Sequence, residues 1–304
     1  MVQLQHQIDE NLTVTTADPT AGVRLGDWTA AARYESFDGH RVAVWTAGEG
    51  RPLLLVHGYP TSSWDWHRIW APLAARRRLI ACDMLGFGLS DKPASGYSIH
   101  RQTDLQEAIL ESLGVEDYDA LVHDYGVSVG QELLARSNEG SARARLGRVV
   151  FLNGGLFPEQ HRMLPIQKVG TSPLGFLVGW LMNRERFGEN FSRVFGADTK
   201  PTEAELDDFW QLISHQGGHR LAHKLLHYIA NRHQHRARWV EALQQSTVPI
   251  KLINGGADPV SGRHLYEYFK TMVPAAVAVC FDDVGHYPQT EAPQRVLDEL
   301  DGFL

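Results

Sequence analysis

The feature that most constrains this chain is a strand–helix rhythm that stops and then resumes. Short apolar runs at Leu53–Val56, Arg78–Cys82, Tyr118–Val122 and Arg148–Leu152 alternate with helical patterns over about Trp64–Ala75, Ser98–Leu113 and Gly126–Arg136. Runs that are apolar throughout suit strands covered on both faces, and strands separated by helices build a parallel sheet with helices on each side. From about Gly154 to Arg238 no strand-like run occurs, and helical pieces are broken by Pro158, Pro165, Pro173, Pro201 and Gly217-Gly218. The rhythm returns with the strand Pro249–Ile253, a helix over Gly262–Val273, the strand Ala276–Phe281 and a last helix to Leu304. A sheet that resumes after an all-helical stretch holds that stretch as an insert. The expected division is an α/β core over 1–153 and 239–304, with 154–238 as a helical lid. Ahead of the core sheet, Ala32–Phe37 and Arg41–Trp45 flank Asp38-Gly39, a two-residue hairpin signal. Residues 1–30 read as an N-terminal arm, flexible or packed on the body.

Composition excludes several functions. At 304 residues and 43% hydrophobic, the chain can bury a large core. Its 29 Lys and Arg against 36 Asp and Glu give −7, the wrong sign for a nucleic-acid binder. No apolar run approaches the ~18 residues of a membrane span. The polar N-terminus is unlike a secretory leader. Cys82 and Cys280 sit far apart in strand-like runs and read as buried, reduced thiols, so a cytoplasmic location is expected.

In an open parallel sheet, ligands gather beyond the carboxyl ends of the strands. There stand His57-Gly-Tyr59, Asp83, His123-Asp-Tyr-Gly126, Asn153, Asp258 and His286. In Val122-His-Asp-Tyr-Gly126 a strand runs straight into a helix, a turn that strains its central residue and thrusts that side chain over the sheet. The central residue is Asp124, which we take as the nucleophile. Gly126 permits the close helix approach. The backbone N–H groups of Tyr125 and Tyr59 are the expected oxyanion donors. Gly126-Val-Ser-Val-Gly130 matches a serine elbow letter for letter, but His, Asp and Gly fill the stretch where its strand would have to lie. Asp258, in an Asp-Pro turn, and His286, in a loop, would each be unremarked alone. In the order acid, acid, His they form a set in which Asp258 orients His286 and His286 deprotonates water.

Three other patterns read as structural. The stripe His215, His219, His223, His227 has i,i+4 spacing but no carboxylate partner, and is taken as lid surface rather than a metal site. Arg232 to Arg238 is taken as a solvated basic face. Trp64, Trp66 and Trp70 are taken as core and pocket wall.

His57-Gly-Tyr-Pro60, Asp83-Met-Leu-Gly-Phe-Gly-Leu-Ser-Asp-Lys-Pro93, His123-Asp-Tyr-Gly126, Gly255-Gly-Ala-Asp258 and Gly285-His-Tyr-Pro-Gln-Thr-Glu291 resemble segments of the α/β-hydrolase superfamily. The likeness is greatest to its Asp-nucleophile branch, the epoxide hydrolases and haloalkane dehalogenases. Gly58-Tyr-Pro-Thr-Ser-Ser-Trp-Asp-Trp66, Gln131-Glu-Leu-Leu134, Asn153-Gly-Gly-Leu-Phe-Pro158 and Arg238-Trp-Val240 are similar to the mesoderm-specific transcript protein family. The resemblance covers about residues 33–304. It implies the α/β-hydrolase fold with a helical lid, and attack by Asp124 on an electrophilic carbon to give an alkyl ester. Water activated by His286 and Asp258 then hydrolyses that ester. Haloalkane dehalogenases resemble one another in an indole N–H just after the nucleophile, where this chain has Tyr125. Epoxide hydrolases resemble one another in two lid Tyr hydroxyls; here Tyr228 matches the second. Epoxide hydrolysis is therefore expected first and dehalogenation second, with a Ser128 esterase or a non-catalytic binding homologue as remaining alternatives. His57, Trp64 and Tyr287 are expected to contact substrate. No metal or organic cofactor is expected. The expected partners are a small apolar electrophile and water, with a homodimer left open.

Overall fold

The computed structural model describes residues 21–172 and 174–304. Eight strands, β1 (Arg33–Phe37), β2 (His40–Ala47), β3 (Pro52–Val56), β4 (Arg78–Cys82), β5 (Asp117–Val122), β6 (Arg145–Phe151), β7 (Ile250–Gly255) and β8 (Val277–Phe281), form one sheet. Its order is β1-β2-β4-β3-β5-β6-β7-β8. β2 is antiparallel to β1 and β4, and every other neighbouring pair is parallel. The β1–β2 hairpin closes on Asp38 and Gly39 at φ 50° and 76°, the positive values that a twist-matched two-residue turn requires. Along β3, Leu54 and Val56 enter the core on one face while Leu53 and Leu55 enter the core on the other, so the whole run must be apolar.

The helices are α1 (Leu25–Ala30), α2 (His67–Ala74), α3 (Ile99–Ser112), α4 (Tyr125–Glu139), α5 (Pro165–Gly170), α6 (Phe176–Leu181), α7 (Arg184–Phe191), α8 (Glu203–Ser214), α9 (Ala222–Leu225), α10 (Tyr228–Gln234), α11 (Arg236–Gln244), α12 (Arg263–Met272), α13 (Pro288–Glu291) and α14 (Pro293–Asp301). Ser98 caps α3, its hydroxyl accepting from the Arg101 N–H at 3.1 Å. Between β6 and β7 the described residues hold helices and turns but no strand. At the end of that stretch α11 packs on α4, where Arg238 Nε and Trp239 Nε1 both donate to Glu132 Oε2 at 2.8 Å.

The elements differ from expectation where tertiary contact outweighs pattern. α1 was not expected: a six-residue helix carries too little periodicity to read. It forms because Trp28 is sealed between Trp45 and Trp70, with ring centroids 4.9 and 4.8 Å away. The expected arm is thus packed on the body over 21–30; residues 1–20 lie outside the described residues, as does Pro173. The expected helix from Trp64 opens as a 3-10 turn, Ser63–Trp66, before α2. The last helix is two, because Pro293 has no N–H to carry α13 onward. Cys82 is buried, but Cys280 lies on the edge strand and is half-buried. No helix of the described residues is long and apolar enough to cross a membrane.

The sheet order reverses at β3, which has β4 on one side and β5 on the other. Loops leaving β3 and β5 therefore diverge to opposite faces and open a crevice between them. Tyr59 follows β3 and Asp124 follows β5.

Candidate active site

Asp124 is the N-cap of α4 at φ 47°, ψ −104°, one of three non-glycine residues with positive φ among those described. Such a conformation costs on the order of 1–3 kcal/mol and persists only where its surroundings impose it. They do so here. The Asp124 N–H donates to the Asn153 carbonyl at 2.7 Å, and the Gly126 N–H donates to the His57 carbonyl at 3.1 Å. A Cβ on Gly126 would stand 2.3 Å from the Val56 carbonyl oxygen, so only glycine lets the helix start this close to β3.

The elbow holds the carboxylate between a donor and an imidazole. Tyr59 N–H donates to Asp124 Oδ1 at 2.8 Å, and His286 Nε2 lies 3.3 Å from Oδ2. The N–H of Tyr125, in the first turn of α4, has no hydrogen-bond partner recorded among the described residues. On the far side of the ring, His286 Nδ1 meets Asp258 Oδ2 at 2.6 Å. Asp258 is itself fixed: Ser261 Oγ and Asn153 Nδ2 donate to Oδ2 at 2.6 and 3.0 Å, and the Val260 N–H donates to Oδ1 at 2.7 Å. The structure thus brings Asp124, His286, Asp258 and Tyr59 together.

Electrostatics follow from this packing. Burial opposes charge on all three residues of the triad, but their mutual attraction prevails. Burial penalises the Asp258 carboxylate, yet the charge and hydrogen bond of His286, with Ser261 and Val260, hold it at about 2. Asp124 is held well below the usual carboxylate range against its burial by His286, then by Arg232. His286 is carried up to about 10 against its burial by Asp258 and Asp124. The directions of these shifts favour two carboxylates and an imidazolium at neutral pH.

This state has a stability consequence. The folded-state value of His286 lies above its ordinary 6.5, so its contribution is full below about pH 6.5 and is lost as pH rises through about 10. Denaturant unfolding at pH 6, 8 and 10 is expected to show wild type losing stability faster than His286→Gln over that range. Parallel curves would mean the imidazole is not held charged.

A cavity of about 110 Å³ opens in front of the carboxylate, with Asp124, Tyr59, His286 and Tyr287 at its floor and Leu164, Ile166, Val178, Met182, Phe187 and Phe191 from the helical insert above. It is smaller than the ~150 Å³ apolar cavity that admits benzene, so it suits a short apolar group unless the insert moves. Tyr228 lies behind this floor, its ring 4.8 Å from Tyr125 and 6.1 Å from Tyr59. Its hydroxyl is buried and has no hydrogen-bond partner among the described residues.

Two expected substrate contacts are not brought to the cavity. His57 is fully buried, with Nδ1 on the Gly58 carbonyl at 2.8 Å and Nε2 accepting the Met84 N–H at 3.0 Å, so both ring nitrogens are occupied by loop backbone. Trp64 donates Nε1 to the Val23 carbonyl at 3.1 Å and stacks on His67, which ties down the residues before α1. The His stripe is divided between a 3-10 turn and α9, with Gln216 and Gly217 out of helical geometry. Among the described residues no three His, Cys, Asp or Glu side chains stand close enough to share a metal ion.

Arg232 departs from the expected solvated basic face: it is 1% exposed. Its Nε donates to Ser128 Oγ at 2.9 Å, and a terminal nitrogen donates to the Asp124 carbonyl at 3.2 Å. Its guanidinium lies 4.3 Å over the Tyr228 ring. His161 Nδ1 is 3.4 Å away, on an imidazole that burial and then the charge of Arg232 push down to about 4. Ser128, the decoy nucleophile, is therefore a fully buried acceptor for Arg232. The available signal was the i,i+4 placement of Arg232 after Tyr228, which puts both on the inner face of α10.

Fold and site order together, an elbow acid after β5, an acid after β7 and a His after β8, define an α/β hydrolase. The chain belongs to the alpha/beta hydrolase family, whose pattern matches residues 53–299. Within it the chain is similar to the mesoderm-specific transcript homolog protein of Homo sapiens, 39% identical over 299 residues, covering 94% of this chain and 89% of that one. Among solved structures, the epoxide hydrolase CorEH superposes with a TM-score of 0.74 at 20% identity, covering 90% of this chain and 97% of that one. A haloalkane dehalogenase, the DbeA-M1 loop variant from Bradyrhizobium elkanii, gives 0.74 at 20% identity, covering 90% and 95%. At such identity these two structures establish the fold alone.

Proposed function

We propose that this hydrolase works through an alkyl ester on Asp124 and that its substrate is a small apolar epoxide. The carrying observation is the Asp124 carboxylate, strained out of the elbow between the Tyr59 N–H and His286 and facing an apolar cavity. A carboxylate attacking sp³ carbon gives a stable ester, whereas acyl transfer to it would give an anhydride. One Asp124 oxygen bonds to a ring carbon, the C–O bond of the ring breaks, and its electron pair goes to the ring oxygen. That oxygen takes the proton of Tyr228, whose buried hydroxyl has no partner among the described residues and reaches the ring by turning forward between Tyr59 and Tyr125 from behind the cavity floor. Ester formation removes the Asp124 charge, one of the two that keep His286 protonated. His286 then gives up its proton, which replaces the one Tyr228 lost, and stands as a neutral base oriented by Asp258. Water adds to the ester carbonyl as His286 takes its proton, and the Tyr59 and Tyr125 N–H groups receive the oxyanion. Collapse breaks the bond to the diol oxygen, which takes the proton from His286, and the acid left on Asp124 gives its proton back to His286, restoring the resting carboxylate and imidazolium. The helices over 154–238 serve as the lid that keeps bulk water from this site.

The leaving group is tested by offering short terminal epoxides and haloalkanes of equal chain length. We expect diol formation without halide release, and a fall of about 10²-fold in diol turnover for Tyr228→Phe, the usual scale for a lost general acid. Halide release at a rate untouched by Tyr228→Phe, with the epoxides inert, would make the protein a dehalogenase instead.

A further inference from the structure

Six of the eight large apolar side chains exposed among the described residues fall in one short stretch of the insert: Val169, Leu174, Phe176, Leu177, Trp180 and Leu181. The local packing explains why. α6 meets the rest of the insert through Gly179, where a Cβ would stand 2.6 Å from the His219 carbonyl oxygen. The helix is pressed down on that side, so Phe176, Leu177, Trp180 and Leu181, at i, i+1, i+4 and i+5, share the outward face. Trp180 is 71% exposed. Isolated exposed apolar residues need no explanation, but a contiguous cluster of this kind marks an interaction surface.

Two further observations say what covers it. The first is charge. Residues 154–238 carry eleven Lys and Arg against eight Asp and Glu, net +3, so the rest of the chain carries −10 of the total −7. Lys168 and Arg186 border the apolar face: Lys168 adjoins Val169, and Arg186 donates to the Leu181 carbonyl at 2.7 Å. Neither Lys168 nor Arg186 forms an ion pair among the described residues, whereas Arg184, Arg236 and Arg238 of the insert do. The second is continuity. A groove under α5, α6 and α7, lined by Val169, Leu181 and Arg186, shares Ile166, Val178, Met182 and Asn190 with the cavity at Asp124. Two residues of the exposed face, Val169 and Leu181, thus line the groove that runs on into the cavity at Asp124.

We propose that this face docks on an anionic phospholipid surface, with α6 lying in the interface, Trp180 at headgroup depth and Lys168 and Arg186 on lipid phosphates. An apolar face with a Trp and a rim of basic residues is the pattern of interfacial attachment without a spanning helix. The groove then opens onto the membrane, from which an apolar compound reaches the cavity without crossing water. The docking stands independently of the Asp124 chemistry.

The test is co-sedimentation of the full chain with phosphatidylcholine vesicles and with vesicles that also contain phosphatidylserine. We expect binding to the serine-containing vesicles that fades as salt is raised. Trp180 fluorescence should be quenched by brominated acyl chains, since the other tryptophans are buried or half-buried. The double variant Leu177→Ser, Trp180→Ser should bind at least about tenfold more weakly, and Lys168→Gln and Arg186→Gln about fivefold each. Because every substitution is on the surface, the far-UV circular dichroism should not change. No binding of wild type to anionic vesicles overturns the proposal. So does a double variant that still binds them while passing from dimer to monomer, which would make the face a contact between copies of this chain.

Discussion

His286→Gln is expected to halt the reaction halfway. With an excess of a short epoxide, the variant should accumulate one substrate mass on the peptide that contains Asp124, while steady-state diol formation falls by about 10²–10⁴-fold. The reasoning is positional. Asp124 needs no base to attack: its carboxylate is held ionised by its surroundings and strained toward the cavity. The second step does need one, and among the described residues His286 is the imidazole in contact with the Asp124 carboxylate. The His123 ring is held by Nε2 on the His286 carbonyl at 2.8 Å. Glutamine fills much of the same space without a basic nitrogen, so the water step fails while the ester step proceeds. Asp124→Ala should show neither adduct nor turnover. An adduct on Ser128 would transfer the nucleophile to the serine that the structure ties to Arg232. Undiminished turnover by His286→Gln would remove the proposed base altogether.

How much of this was legible in the sequence depends on how local each signal is. That Asp124, Asp258 and His286 come together could be read because each stands at a strand end, and strand ends are fixed by short runs such as Leu53–Val56 and Tyr118–Val122, whose residues are buried on both faces. The distinction between Asp124 and Ser128 was also local: one is the last residue before a helix and the other is four residues into it. What could not be read depends on contacts across the chain. Trp28 gives no sign of its pocket, because Trp45 and Trp70 come from elsewhere. His57 stands beside the oxyanion donor in sequence, yet its ring turns inward to Met84. Asn153, at the end of β6, was noted only for its position; its side chain braces Asp258 through a contact 105 residues away in sequence. Arg232 looked like the start of a charged run, and its neighbours Arg236 and Arg238 do pair with surface acids.

Arg232 carries the second large expectation. Its guanidinium is buried and, among the described residues, forms no ion pair with a carboxylate. An isolated buried charge would be costly, so its retention calls for a compensating charge nearby. The triad supplies it. Asp124 and Asp258 are anionic and His286 is cationic, a net charge of one negative that Arg232 cancels. Arg232→Met keeps much of the buried stem and removes the charge. We expect it to destabilise the fold by about 3–5 kcal/mol, the usual consequence of leaving a buried charge uncompensated. The same change should act on chemistry through Asp124, whose ionisation Arg232 favours. In the His286→Gln background, the rate of adduct formation should fall, and its acid limb should move to higher pH. Arg232→Lys should restore part of both, since it keeps the charge but not the fork that spans Ser128 and the Asp124 carbonyl. A loss of packing alone would lower stability in both variants and leave the acid limb where it was. If Arg232→Met moved neither the unfolding midpoint nor that limb, the guanidinium would not be the charge that balances the site.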